Sequence, residues 1–234
     1  NSCTKLLTHW GTETRMKKAR YVGERSWVSF YGFFLMTAIL VLLLAAIQAN
    51  LISYGFYLTV SITAYFVLLL IFHDCSHESA HPNRQVNRVL GWIIAAMTAL
   101  PFNLVKSAHL KHHRFANTEQ DPDQVLYRDT LKSFVLIFLT NFVYYSELRF
   151  LSKKEQLKVA LFWALWIIPW FFFPRELLLF WAVPALAAVA LFSFLFIYAS
   201  HHPYLSDKVA WFGPFLRVHH SHHGRSFLTI WEHL

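Results

Sequence analysis

Apolar residues fill four stretches of the chain, near 27–49, 51–72, 157–173 and 177–199. Each is long enough to cross a bilayer, which takes about 20 apolar residues per crossing. Only QANL separates the first two, and only FPREL separates the last two. Each pair is therefore expected to form a tight helical hairpin. Two shorter apolar stretches depart from this pattern. VLGWIIAAMTALPFNLV at 89–105 is marginal in length and is interrupted by Pro101. A single crossing there would leave His73 and His109 on opposite sides of the membrane, so a re-entrant or interfacial segment is expected. FVLIFLTNFVYY at 134–145 is expected to be an amphipathic helix on the membrane surface.

The pattern predicts an all-α integral membrane protein forming one domain over 1–234. Four transmembrane helices form two hairpins, 27–72 and 157–199. The N-terminal segment 1–26 and the regions 73–156 and 200–234 form the polar remainder. Lysine and arginine placement sets the orientation. Of the 21 basic residues, all but Arg175 fall in those polar regions or, like Lys158, at the near end of the third span. Basic residues gather on the cytoplasmic side, so both termini and the middle region are expected there, the latter as a helical cap.

Composition agrees with the membrane reading. The chain is 56% hydrophobic and only 15% charged, against about 25% charged in soluble domains. Its net charge of +8 comes from residues lying between apolar runs, which argues against a nucleic-acid partner. The two cysteines, Cys3 and Cys75, provide no disulfide framework, and Cys75 is expected to be an inert packing residue. No signal peptide is evident at the N-terminus.

Histidine changes the picture most. Twelve of the 14 fall in four clusters, each at or near the end of an apolar stretch. They are His73, His77 and His81; His109, His112 and His113; His201 and His202; and His219, His220, His222 and His223. Residues three and four apart share a helical face. His73, His77 and His81 therefore form one row, which Pro82 ends. His109/His112/His113 and His219/His222/His223 repeat an H-x-x-H-H spacing. Imidazole suits zinc, copper, iron and nickel, and one zinc needs only about four ligands. Nine well-placed histidines therefore ask for two metals. The cysteine-poor, histidine-rich character argues against an iron–sulfur cluster, and haem would leave most of the histidines unexplained. A membrane metal-binding or transport protein remains the alternative to an enzyme, although transport sites tend to lie at mid-membrane.

In order and spacing, HDCSH, HLKHH and HHSHH resemble the three histidine boxes of the membrane fatty acid desaturase superfamily, which includes acyl desaturases and carotenoid hydroxylases and ketolases. The resemblance implies a di-iron centre that uses O2 to desaturate or hydroxylate an unactivated C–H position of a long apolar lipid. A fatty acyl chain is the commoner substrate. HDCSH followed by HLKHH and DPD is especially similar to carotenoid hydroxylases and ketolases. Matched box by box, the ligands are His73, His77, His109, His112, His113, His201, His219, His222 and His223. His81 and His202 match fewer relatives, and His220 fills a variable position. Asp74, Glu78, Asp121 and Asp123 are candidates to accept an imidazole N–H behind the ligands, although DPD also reads as a loop turn. The chain has no recognisable cytochrome b5 segment, so a separate ferredoxin, rubredoxin or cytochrome b5-like donor is expected. Arg217 stands where many relatives have asparagine, and GRSFLTIWEHL lacks the proline many carry after the last box.

Overall fold

The computed structural model describes residues 27–115, 118–127, 132, 135–136 and 143–199. The N-terminal segment, most of 134–145 and all histidines from His201 onward lie outside the described residues. Every regular element among the described residues is helical.

Helix α1 spans Val28–Gln48 and α2 spans Tyr54–Ser76. Asn50, in the left-handed region at φ 57°, ends α1, and the Leu51 N–H returns to the Ala46 carbonyl. Ser53 then caps α2, its Oγ accepting from the Phe56 N–H. Ser29 near the start of α1 donates to Asp74 near the end of α2 at 2.7 Å, so the two helices run antiparallel. Half of the most apolar stretch of α2 is buried, against 11% for α1. Thus α2 is the central helix, and α1 presents Leu42 and Val41 outward.

Helices α3 (Arg84–Thr98) and α4 (Phe102–Phe115) meet at a bend of 104°. The bend falls within the apolar stretch 89–105 and has a local cause. Ala99 takes φ 57°, and Pro101 has no N–H with which to continue the helix. A bend of this size suits a re-entrant loop or a broken span. The carbonyls at the end of α3 lack helical partners. The indole N–H of Trp166 donates to Ala96 and that of Trp181 to Met97, and the two rings lie 4.6 Å apart. Phe102 at the start of α4 is packed among Phe72, Trp92 and Gly91.

Helix α5 spans Lys153–Ile167 and α6 spans Pro174–Tyr198. Among the described residues α1, α2 and α6 are long and apolar enough to cross a membrane. The stretch expected as the third span breaks: α5 has 15 residues and passes into a 3-10 turn at Ile168–Phe171. Pro169 lacks the N–H that an α-helix would use there. Helix α6 contains two π-turns, Leu178–Ala182 and Phe194–Tyr198. A π-turn leaves carbonyls without their usual helical donors. Tyr54 and Tyr57 of α2 donate their hydroxyls to two of them, Leu179 and Phe180. Further along, Ala185 and Ala188 bring α6 close against α2.

A Cβ on Gly91 would meet the Phe102 ring at 2.5 Å. That ring is buried on all sides, so overpacking there should cost about 1–3 kcal/mol. Gly91→Ala is expected to lower the melting temperature of the purified chain in detergent, and Gly91→Ala combined with Phe102→Leu to recover part of the loss.

Candidate metal centre

Helix α2 ends on the first histidine pair. His73 lies in its last turn and His77 is the first residue past its end. Glu78 turns left-handed at φ 58°, and the Ser79 N–H returns to the Asp74 carbonyl. The Cys75 carbonyl accepts from the Asn87 amide at 2.8 Å, while Asn87 Oδ1 accepts from the Ala80 N–H. These bonds fix the end of α2 and redirect the chain. His81 is therefore not one turn further along the same helical face, as its spacing suggested. Its ring packs against Trp27 and Phe30, and its Nδ1 accepts from the Asn83 N–H.

Helix α4 brings the second box to the first. His73, His77, His109 and His113 each offer a nitrogen, and all four nitrogens lie within 4.8 Å of one another. Their closest approaches are between Nε2 atoms. His77 and His109 are 2.8 Å apart, His109 and His113 2.8 Å, and His77 and His113 3.1 Å. Burial first, then the neighbouring imidazoles, hold His109 well below its ordinary pKa. It is therefore neutral at physiological pH.

The donor set fits a metal ion. An imidazole nitrogen has a single direction in its ring plane, used either to donate or to accept. Three Nε2 atoms pointing at one another cannot all be satisfied by protons. Two nitrogens bound at right angles, each about 2.1 Å from one ion, sit about 3.0 Å apart, close to the spacing seen here.

His112, 3% exposed, is oriented differently. Its Nδ1 lies 2.9 Å from Asp121 and 3.5 Å from Asp123. These three residues form a second, fully buried group able to hold a cation. Burial alone would raise Asp121, but the hydrogen bond and charge of His112 outweigh it and hold the carboxyl below its usual range. Conversely, burial would lower His112, and the Asp121 hydrogen bond raises it overall. The DPD segment is also a turn, with the Asp123 N–H donating to Asp121 Oδ1.

The other two candidate carboxylates also bind groups on neighbouring elements. Asp74 accepts from Ser29 and stands 4.0 Å from His73 Nδ1. Glu78 binds Lys106 at 3.1 Å and Arg84 at 3.4 Å, tying together the end of α2 and the starts of α3 and α4. Burial would raise Glu78, but the Lys106 hydrogen bond and the surrounding cations bring it below its ordinary pKa. Cys75 is fully buried in the core. Residues that the sequence did not single out include Tyr127, whose hydroxyl donates to Asp121, and Tyr144, a partner of Asp123. An isolated tyrosine carries no spacing signal by which to find it.

His73, His109 and His112 open onto a cleft between α2 and α6. Its walls are apolar, with Leu69 and Phe72 on α2, Val189, Phe192 and Phe196 on α6, and Leu100 at the α3–α4 bend. Asp123, Tyr144, Ser76 and Ser193 are its polar points.

Long apolar helices, and a partly buried histidine cluster able to hold a metal ion beside an apolar cleft, are the features of a membrane protein with a candidate metal site. The sequence model of the fatty acid desaturase family matches residues 49–231, and the chain belongs to that family. Among curated proteins it is similar to the Delta(12) fatty acid desaturases of Mortierella isabellina and Mortierella alpina. Identity is 34% over 53 residues in each case, 23% of this chain. The matched segment spans 13% of the length of those relatives. No solved structure matches the chain.

Asp123 provides a test of the site's cost to stability. Burial pushes its carboxyl up to about 6. A raised carboxyl holds its proton more tightly folded than unfolded, so stability falls as the pH rises from about 3.8 through about 6. Asp123→Asn removes that penalty. The metal-free variant is expected to be more stable than the parent at pH 8, by roughly 1–3 kcal/mol, and to lose the advantage by pH 3.5. Melting curves at the two pH values check this.

Proposed function

We propose that this chain is an O2-dependent lipid desaturase with a di-iron centre. The observation that carries the reading is the convergence of four imidazoles from two helices beside an apolar cleft. Family membership and the desaturase names of the relatives support it. His73, His77, His109 and His113 hold one ion. His112 and, by their match to the histidine boxes, His201, His219, His222 and His223 complete the set of nine ligands for two ions. His81 and His202 are not needed for nine ligands. The protein is multi-pass, with both termini and the metal site on the cytoplasmic side, as basic-residue placement implies.

The two irons supply the activation of O2 needed to attack an unactivated C–H bond. For a desaturation, one O2, two electrons and two protons take two hydrogens from the substrate and leave two waters and a double bond. The residues of the chain prepare the site. Burial keeps His109 neutral and able to ligate. Asp121 engages His112 Nδ1, leaving Nε2 as the ligating atom. Phe192 and Phe196 wall the cleft, exclude water and orient a chain that enters from the lipid. The electrons come from a ferredoxin, rubredoxin or cytochrome b5-like donor.

A fatty acyl chain is the substrate the relatives' names favour. A carotenoid hydroxylase or ketolase is the second reading, favoured by HDCSH, HLKHH and DPD in that order. Products formed in a carotenoid-producing host against an acyl-lipid background separate the two. The purified chain should carry close to two irons and give an O2-dependent product. His77→Ala, His112→Ala and His222→Ala should each lower the iron content and abolish product while the protein still inserts into membranes. One zinc per chain, with no O2 uptake when reductant is supplied, would identify a non-catalytic metal protein instead.

A further inference from the structure

We infer that Tyr127 is a positioning residue for the metal centre, acting through Asp121 on His112. The inference rests on the di-iron reading above and adds a residue that the histidine boxes do not contain. Asp121 is 5% exposed and Tyr127 6%. Asp121 Oδ1 faces His112 Nδ1 at 2.9 Å and also accepts from the Asp123 N–H at 2.9 Å. Its other oxygen, Oδ2, accepts from the Tyr127 hydroxyl at 2.8 Å. With both oxygens engaged, the carboxylate plane is fixed. A fixed carboxylate holds the Nδ1–H tautomer of His112 and sets the direction of the Nε2 lone pair.

The chain between these residues is built to close the contact. Gln124 N–H donates to the Asp121 carbonyl and Leu126 N–H to the Asp123 carbonyl. The 3-10 turn at Gln124–Leu126 thus folds the segment back, and the fully buried Leu126 anchors it. Residue 127 returns to residue 121 for this reason. Without the hydroxyl, Oδ2 would lose a buried donor and the carboxylate could turn about its Cβ–Cγ bond. The His112 ring would then no longer be held to one orientation.

A loop staple would use the same hydrogen bond, so the test must read the metal and not only stability. Tyr127→Phe keeps the ring and removes only the hydroxyl. Ferrous iron is titrated into the metal-stripped full-length chain in detergent against a competing chelator, and the Co(II)-loaded protein is examined by absorption. Tyr127→Phe is expected to weaken binding of one of the two ions by about 10–100-fold, with a changed Co(II) spectrum. Asp121→Asn, whose amide can favour the other tautomer, should do at least as much. Tyr54→Phe, which loses a hydroxyl bonded to Leu179 at the opposite end of α2, should bind both ions as the parent does. If the parent binds two ions and Tyr127→Phe binds them within twofold of it with an unchanged spectrum, the positioning role is overturned. A parent that binds fewer than two ions overturns the di-iron reading itself.

Discussion

The end of α2 must satisfy its last backbone carbonyls beside a membrane, where water is scarce and each unmet group is costly. The solution occupies the residues from Asp74 to Asn87. Ser79 takes the Asp74 carbonyl, Asn87 takes that of Cys75, and Glu78 adopts the left-handed turn that makes both contacts possible. Because the helix stops there, His73 and His77 stand at its rim on one side, and α3 departs at an angle that allows α4 to return with His109 and His113. The imidazole cluster is thus a product of helix termination as much as of histidine spacing.

That arrangement is expensive for an apoprotein. Imidazole rings crowd together at nitrogen separations of 2.8–3.1 Å, and buried carboxylates stand behind His112. Buried polar groups destabilise unless fully satisfied, and a bound cation would satisfy these. The supporting interactions lie one layer out. Ser29 on Asp74, Lys106 and Arg84 on Glu78, and Lys111 on Glu147 join α1, α3, α4 and the 144–150 turn around the cluster.

Much of this was legible in the sequence, because hydropathy and i,i+4 spacing are local signals. Helices α1, α2 and α6, the break at Pro101 and the shared face of His73 and His77 could all be read directly. What failed depended on local backbone chemistry. His81 follows the helical spacing, but the αL turn at Glu78 and the Asn87 side chain end the helix before reaching it. The stretch 157–173 is apolar apart from Lys158, yet Pro169 turns its end into a 3-10 turn. Tyr127 and the Trp166 and Trp181 contacts with α3 depend on partners distant in sequence or on a fold-back, which no periodicity encodes. The later histidines lie outside the described residues, so their spacing remains a sequence argument alone.

The bend between α3 and α4 has a mechanical consequence. Helix α4 is anchored at Phe102 and carries His113 eleven residues away, an arm of about 16 Å at 1.5 Å per residue. Each degree of rotation at the bend therefore moves that imidazole by about 0.3 Å along an arc. A displacement of 1 Å can cost about a hundredfold in rate where geometry controls chemistry, so a few degrees are significant. The indoles of Trp166 and Trp181 and the Phe102 ring on Gly91 act as bearings at the pivot. Side chains with no metal to bind thereby share control of the alignment of the centre.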